Sequence, residues 1–408
     1  MIKSNTQKLV KIGITSASSR RSFIRSLPLF LQSGLRKRSS SIAQFKTESM
    51  KLDIFRSWCS AQGIKTSLEI REGNGGYRYT VLDSAVKQTG QLNLLQVPLS
   101  SCLIADSSEQ LADRLEFEKN LGSDSEFAPY IDLLPSFDSF QKTLPRFWNP
   151  DRLALVEAAD GGALSKLLQA DDPRVNSPFV DPWALACVDS RCNFLPDKRY
   201  SLTPVLDMIN HRSSVATRMF VDATGEDGLD LLNLEIDANK LPRSDKSWFE
   251  RLVNPPSNEI FISYGDLTNR QTLLNYGFVD EENPHNTEEL QIRMIRQPKI
   301  TATIESDGSI DEESLGKLRQ SLANAIESDV LQSLPDKEKN PLLFVSPRNE
   351  EEVFALIVGE LEIAKDKVMN GLELVADDEL LTRYLSGRLN VLQAATKKIK
   401  EKFPQLLS

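Results

Sequence analysis

Residue types and patterns that are rare or missing in this 408-residue chain exclude several classes of function before any motif is considered. The chain has only two histidines and four cysteines, and no two cysteines are spaced as a CxxC pair. Zinc sites group such residues closely, so no metal site is predicted. No stretch of 18 apolar residues occurs, and a membrane-spanning helix is therefore not expected.

Acidic residues are absent from residues 1–47, which carry ten basic side chains and many serines. A basic, serine-rich and acid-poor N terminus is typical of a transit peptide for a chloroplast (plastid) or a mitochondrion. We therefore predict an organellar protein. The alternative is a disordered basic arm, in which case the protein would be cytoplasmic or nuclear.

The rest of the chain is strongly acidic. The net charge of the whole chain is −9, so removing the ten positive charges of residues 1–47 leaves −19 on residues 48–408. Such a surface repels nucleic-acid phosphates and the anionic face of a membrane. It attracts basic partners such as a lysine-rich protein segment, although net charge also serves solubility alone. No nucleic-acid or membrane partner is predicted.

Strand patterns are short and scattered. Runs of apolar residues predict strands near residues 64–70 and 92–98. The stretches "TRMFVDA" and "LDLLNLEI", separated by "TGEDG", predict a hairpin. The stretch "NEIFISY", Asn258–Tyr264, predicts a buried strand.

Helical patterns fill most of the remaining chain. Leucines at helical spacing predict a helical insertion at about residues 103–190. Thr268 and Gln271 form a predicted capping box, and Gly277 is the predicted end of that helix. Beyond it, helical periodicity predicts an all-helical C-terminal region with three segments, at residues 312–328, 350–370 and 377–402.

Two segments carry polar and aromatic residues at the ends of apolar runs. In "YSLTPVLDMINHR", Tyr200–Arg212, such a run ends at Asp207, Asn210 and His211. Taken alone, these residues are typical of a capped turn. In the second segment, Asn258–Asn286, Tyr264 ends the predicted strand, and two further aromatics flank Gly277. Taken alone, they are typical of a hydrophobic core.

Together the segments give a more specific pattern: P-x-x-D-x-x-N-H, then E-I-F-I-S-Y-G about 50 residues later, then N-x-x-x-L-L-x-Y-G-F. This order resembles the SET domain of the Rubisco large-subunit methyltransferase group, over roughly residues 50–285. The resemblance implies an α+β fold, in which a SET-domain β-fold of small antiparallel sheets carries a helical insertion. It also implies three regions: residues 1–47, the SET domain at 48–285, and an all-α substrate-binding domain at 286–408.

The resemblance implies a protein-lysine N-methyltransferase that uses S-adenosyl-L-methionine as cofactor. Its partner would be a protein substrate that presents a lysine, and the enzyme would be a monomer. A non-histone substrate is implied because no cysteine-rich zinc segment follows "NYGF". Two alternatives remain open: a protein-histidine methyltransferase of the same fold, and a SET-like binding module without activity. A Rossmann-type methyltransferase is disfavoured because "GNGGYR" does not fit G-x-G-x-x-G.

The resemblance also assigns roles to residues of this chain. Tyr264 would be the catalytic tyrosine. Arg191 would pair with the methionine carboxylate of the cofactor, which suits a guanidinium fork. The complete set implied to contact the cofactor is Glu72, Gly75, Gly76, Tyr77, Arg191, Asp207, Asn210, His211, Tyr276 and Phe278.

The chain departs from the family pattern at two positions. Tyr79 replaces the glycine that usually follows the arginine of the N-terminal motif, so the alignment of the glycine-rich segment can shift by one or two residues. Arg212 replaces the small residue that usually follows Asn-His. The pair Asn210–His211 and Tyr264 are retained.

The composition of residues 1–47 generates a prediction about targeting. A fusion of these residues to a fluorescent protein should enter an organelle, because the segment is basic, serine-rich and free of acid. Microscopy with organelle markers is the measurement, and a fusion with the basic residues replaced by glutamine is the control. A cytosolic signal would contradict the prediction, and a nuclear signal would favour "RKRSS" as a localisation sequence.

Overall fold

The computed structural model of the protein describes residues 49–407, apart from residues 74–77, 176, 178–179, 214, 216, 223–229, 242–258, 281–282, 295–297 and 334–343. The chain divides into two compact units, Met1–Trp58 and Cys59–Ser408. In the first unit, the described residues 49–58 are helical. No helix in the described part of the chain is long and apolar enough to cross a membrane.

All described strands lie in the second unit, and they form five small sheets. The strands are β1 (Lys65–Thr66), β2 (Leu68–Glu72), β3 (Arg78–Leu82), β4 (Gln91–Pro98), β5 (Leu103–Ala105), β6 (Asn193–Phe194), β7 (Tyr200–Leu202), β8 (Asn210–His211), β9 (Thr217–Asp222), β10 (Leu231–Asp237), β11 (Phe261–Ile262), β12 (Thr287–Ile292) and β13 (Ile300–Glu305). The largest sheet is antiparallel, with the order β1-β4-β10-β9.

The predicted hairpin is confirmed as the antiparallel pair of β9 and β10. Leu232, Leu234 and Ile236 alternate along β10 and are buried, which is the pattern of a strand with one face on a core. Asn233 is also buried, and its side-chain oxygen accepts a hydrogen bond of 2.9 Å from the Gln96 amide of β4. A partner is needed there because a buried amide without one is destabilising.

The predicted helical insertion is confirmed between β5 and β6. Four of its helices begin at side-chain caps, which are Ser107, Ser136, Asn149 and Asp181, as expected for residues that accept from free backbone N–H groups. The helices are α1 (Ser108–Leu121), α2 (Ala128–Ile131), α3 (Phe137–Thr143), α4 (Pro150–Asp160), α5 (Ala163–Val175) and α6 (Pro182–Arg191).

The strand predicted at Asn258–Tyr264 is wrong over most of its length. Only Phe261–Ile262 forms a strand, β11, and it pairs with β8 in parallel. Glu259 makes a single bridge to Val81, and position 258 lies outside the described residues. The apolar run passes between two short partners, so a longer ladder does not form. Tyr264 therefore lies two residues beyond the strand.

The C-terminal region is helical as predicted, and it also contains the hairpin β12–β13, which was not predicted. The predicted capping box and glycine stop belong to α7 (Asn269–Tyr276). The predicted segment 312–328 is two helices rather than one. The remaining helices are α8 (Glu312–Ser321), α9 (Ala325–Ser333), α10 (Pro347–Leu374) and α11 (Glu379–Lys402).

One hydrophobic core joins the C-terminal helices to the insertion. Val156 and Ala159 of α4 belong to the same buried cluster as Leu361 of α10 and Leu385 of α11. Arg152 and Asp378 add an ion pair of 2.8 Å across this contact. Residues before and after positions 285 and 286 contribute to this core, so deleting residues 286–408 would expose apolar surface.

The contact between α10 and α4 generates a prediction about stability. A methyl group added to Gly371 would overlap the carbonyl oxygen of Ala159, whereas nothing lies within 4 Å of a methyl added to Gly359 on the same helix. Gly371→Ala should lower the free energy of unfolding by about 1–3 kcal/mol through overpacking. Gly359→Ala should leave it unchanged or raise it by up to about 1 kcal/mol through helix propensity.

Urea unfolding of both variants measures this difference. Because the two substitutions are chemically identical and share one helix, helix propensity cancels between them. Equal stability of the two variants would show that α10 and α4 are not in contact at Gly371.

Candidate active site

A cavity of about 390 Å³ lies where the insertion meets the segments that follow β7. Most of the site residues predicted from the sequence line this cavity. The cavity is lined by Arg78, Pro135, Ser139, Phe140, Thr143, Ser190, Arg191, Asp207, Met208, Asn210, His211, Phe261, Tyr264, Tyr276 and Phe278.

Seven of the predicted site residues line this cavity: Arg191, Asp207, Asn210, His211, Tyr264, Tyr276 and Phe278. Glu72 is not part of the cavity wall. Its carboxylate accepts a hydrogen bond of 3.3 Å from Arg78, which does line the cavity. The predicted positions Gly75, Gly76 and Tyr77 lie outside the described residues.

The parallel pairing of β8 with β11 fixes Tyr264. The register places Phe261 opposite Asn210 and Ile262 opposite His211. Two residues further on, the Tyr264 backbone N–H donates to His211 Nδ1 at 3.0 Å. At its other end, the Tyr264 hydroxyl donates to the Ile209 carbonyl at 2.8 Å. Hydrogen bonds at both ends leave the ring little freedom.

An aromatic cluster surrounds Tyr264. The ring centroids of Tyr264 and Tyr276 are 4.9 Å apart, and those of His211 and Phe278 are 5.9 Å apart. Gly277 ends α7 with φ 74°, and a side chain there would lie 2.7 Å from Thr143 of α3. Glycine is therefore required at this position, both for its backbone conformation and for the close approach that brings the two aromatics to the cavity.

A second feature of the wall is the buried pair of Arg191 and Asp207. Arg191 Nη1 lies 3.5 Å from the Asp207 carboxylate and donates to the Asp207 backbone carbonyl at 2.9 Å. The Asp207 side chain is fully enclosed, whereas 21% of the Arg191 side chain is exposed. Burial raises the pKa of Asp207, and the Arg191 guanidinium opposes that rise.

Arg191 has a donor to spare. Its Nε is buried and makes no hydrogen bond to any described residue. An unsatisfied buried donor of this kind costs about 1–3 kcal/mol, and because Arg191 lines the cavity, an acceptor from a bound ligand would offset that cost. A carboxylate is the best match, because a guanidinium edge binds two carboxylate oxygens at once.

The side chain of Asn210 is held from both sides. Its amide nitrogen donates to the Arg78 carbonyl at 3.0 Å and to the Glu259 carboxylate at 2.8 Å. Neither Arg78 nor Glu259 is among the predicted site residues. Arg78 lies next to the glycine-rich turn, and Glu259 lies in the second motif segment. The third omission is α3, whose Ser139, Phe140 and Thr143 line the cavity without any recognisable motif.

The phenols and the imidazole of the site are neutral near pH 7. Burial raises the pKa of Tyr264 above its ordinary value and that of Tyr276 to about 12. Burial also lowers the pKa of His211 below its ordinary value of 6.5. Because His211 Nδ1 accepts from the Tyr264 N–H, the imidazole proton lies on Nε2.

The described residues contain no group of three or more His, Cys, Asp or Glu side chains arranged to hold a metal ion. For chemistry, the cavity wall offers the tyrosine hydroxyls, the neutral imidazole and the Arg191 guanidinium.

The buried imidazole generates a prediction about pH. His211 should titrate below pH 6.5, because burial disfavours the charged ring and protonation would remove the acceptor of the Tyr264 N–H. Since the folded pKa is the lower one, the free energy of unfolding should fall as the pH drops from about 6.5 towards that pKa.

NMR of ¹³C-labelled histidine measures the midpoint directly, since the chain has only one other histidine, His285. A His285→Gln variant assigns the two signals. A midpoint of His211 at or above 6.5 would contradict the buried, neutral imidazole.

No protein-family model matches the sequence, and no curated protein matches it either. Solved structures do resemble the fold. The SET domain of LSMT bound to lysine and AdoHcy aligns with a TM-score of 0.60 at 17% identity, over 88% of this chain and 92% of that chain. Rubisco LSMT bound to AdoMet aligns with a TM-score of 0.59 at 17% identity, over 87% of this chain and 93% of that chain.

A third structure, Rubisco LSMT bound to sinefungin and monomethyllysine, aligns with a TM-score of 0.57 at 17% identity, over 87% of this chain and 93% of that chain. These alignments extend over most of both chains. The fold implied by the sequence motifs is therefore confirmed: the chain has the SET-domain fold of Rubisco LSMT.

Proposed function

We propose that this chain is a protein-lysine N-methyltransferase that uses S-adenosylmethionine. The observation that carries the proposal is that the spare donor of Arg191 and the fixed hydroxyl of Tyr264 belong to the wall of one cavity. The first suits a carboxylate, and the second suits a reacting methyl group. The LSMT structures of the same fold were determined with AdoMet, AdoHcy or sinefungin, and with lysine or its methylated forms.

The cavity fits such a cofactor in size and chemistry. Its volume of about 390 Å³ falls within the roughly 300–1,000 Å³ that is usual for small-molecule sites. Arg191 would hold the carboxylate, and Asn210 and His211 would contact the cofactor beside it. The residues Glu72, Gly75, Gly76 and Tyr77 stay predicted contacts on the N-terminal side.

The proposed cofactor supplies an electrophilic methyl group on a sulfonium, which an amine attacks in line. The attacking lysine must be neutral. Aromatic walls such as Phe261, Tyr276 and Phe278 would desolvate the ammonium group and lower its pKa. Positioning the neutral amine in this narrow space contributes much of the rate.

Tyr264 would orient the reacting groups rather than remove a proton. Burial raises the pKa of Tyr264, so its phenol stays protonated at neutral pH and is a poor base. Its proton is donated to the Ile209 carbonyl, which leaves the oxygen lone pairs free to accept. Such an oxygen stabilises a polarised methyl group through weak C–H···O contacts.

The same reasoning extends to the partner. We propose a non-histone protein that presents a lysine within a basic segment, because residues 48–408 carry a net charge of −19. Residues 286–408 would contribute to binding this substrate. The enzyme would act as a monomer in an organelle, to which residues 1–47 would direct it.

Two substitutions test the proposal, because one should change the rate of methyl transfer and the other the affinity for the cofactor. Tyr264→Phe removes one oxygen and keeps the ring, so it should slow single-turnover methyl transfer by about 10²-fold while cofactor affinity hardly changes. Arg191→Ala should weaken cofactor binding, because lost charged hydrogen bonds contribute about 1.5–3 kcal/mol. Calorimetry gives the affinities, and incorporation of labelled methyl into protein gives the rates.

Tyr200→Phe is the matched control, since Tyr200 lies outside the cavity lining. It should keep both affinity and rate. A Tyr264→Phe enzyme with the normal rate would make Tyr264 a core residue. A folded protein that binds no cofactor would contradict the proposed function, and binding without transfer would indicate a SET-like binding module.

A further inference from the structure

The tyrosine Tyr130 is buried beside the cavity but does not line it. It lies in the four-residue helix α2 of the insertion and is fully buried. Its hydroxyl donates to Asp207 Oδ2 at 2.9 Å. Burying a phenol is favourable only where the hydroxyl finds a partner, so the sequence has placed this hydroxyl against this carboxylate.

Asp207 connects Tyr130 to Arg191. The oxygen that accepts from Tyr130 is also the carboxylate oxygen 3.5 Å from Arg191 Nη1. The other carboxylate oxygen, Oδ1, is buried and has no hydrogen-bond partner among the described residues. The orientation of this carboxylate therefore depends on Tyr130 and Arg191. A buried charge with one partner removed is strongly destabilised, so the two contacts depend on each other.

Arg191 in turn is part of the cavity wall. Its Nη1 is held by Asp207, through both the carboxylate and the backbone carbonyl, while its Nε has no partner. Fixing one edge of a planar guanidinium fixes the direction of the other edge. These contacts connect Tyr130 of the insertion to Arg191 of the cavity wall.

We infer that Tyr130 is a positioning residue that orients Arg191, through Asp207, for the carboxylate end of the cofactor. The inference rests on the proposed function, in which Arg191 binds that carboxylate. It assigns the helical insertion a part in cofactor binding that no sequence motif indicated.

A second buried tyrosine provides a comparison within the same chain. Tyr384 on α11 is buried as completely as Tyr130, and its hydroxyl lies 3.4 Å from a carboxylate oxygen of Asp160. It belongs to the C-terminal core and does not line the cavity. Tyr384→Phe therefore reproduces the loss of a buried hydroxyl next to a carboxylate without touching Arg191.

The experiment uses two ligands that differ only at the end that Arg191 would hold. S-adenosylhomocysteine carries the amino-acid group, and 5′-methylthioadenosine lacks it. Calorimetry on the full chain should show that Tyr130→Phe weakens S-adenosylhomocysteine binding by about 3- to 10-fold, the equivalent of one hydrogen bond. Binding of 5′-methylthioadenosine should stay within about twofold of wild type, since that ligand makes no use of Arg191.

The outcomes separate this inference from the proposed function. Wild-type protein that binds neither ligand would contradict the proposed function. Wild-type binding with unchanged affinities in Tyr130→Phe would overturn the positioning role alone. So would an equal loss for both ligands, or the same selective loss in Tyr384→Phe, because either would reflect general loosening.

Asp207→Asn keeps the inference testable if Tyr130→Phe does not fold. The amide preserves the shape of the side chain and can still accept from Tyr130, but it no longer pairs as a charge with Arg191. It should show the same selective loss of S-adenosylhomocysteine binding. An Asp207→Asn protein with unchanged affinity for both ligands would overturn the inference.

Discussion

The candidate site depends on the pairing of two strands of only two residues each. Asn210–His211 lies parallel to Phe261–Ile262, and this ladder brings together segments separated by about fifty residues of chain. From it follow the hydrogen bond of the Tyr264 backbone to the His211 ring and the docking of the Tyr264 hydroxyl on the Ile209 carbonyl. A shift of one residue would turn these side chains to the opposite face.

Around this ladder, the cavity wall is built by three different kinds of element. The sheet β2–β3 contributes Arg78, the insertion contributes α3 and the end of α6, and the end of α7 contributes Tyr276, with Phe278 just beyond it. The buried pair of Arg191 and Asp207 joins the insertion to the strand segment. When the residues of a site lie on separate elements, each element must be held in place. The hydrogen bonds around Asp207 and Asn210 do this.

The sequence predicts much of this arrangement, and the predictions that are wrong or missing have a physical cause. The capping box of α7 and the β9–β10 hairpin are local, so residue spacing predicts them. The strand at Asn258–Tyr264 was overestimated because its length is set by partners far away in the chain. Tyr130 and Glu259 were missed for the same reason: their roles arise from contacts with Asp207 and Asn210 that no local pattern contains.

We propose that this cavity transfers a methyl group to a protein lysine. Incubating the purified protein with S-adenosylmethionine, labelled in its methyl group, and a cell extract measures this directly when mass spectrometry identifies the labelled residue. We expect label on the side-chain nitrogen of a lysine. Label on a histidine ring would contradict lysine as the acceptor, and the absence of any labelled protein, from enzyme shown to be folded, would contradict methyl transfer itself.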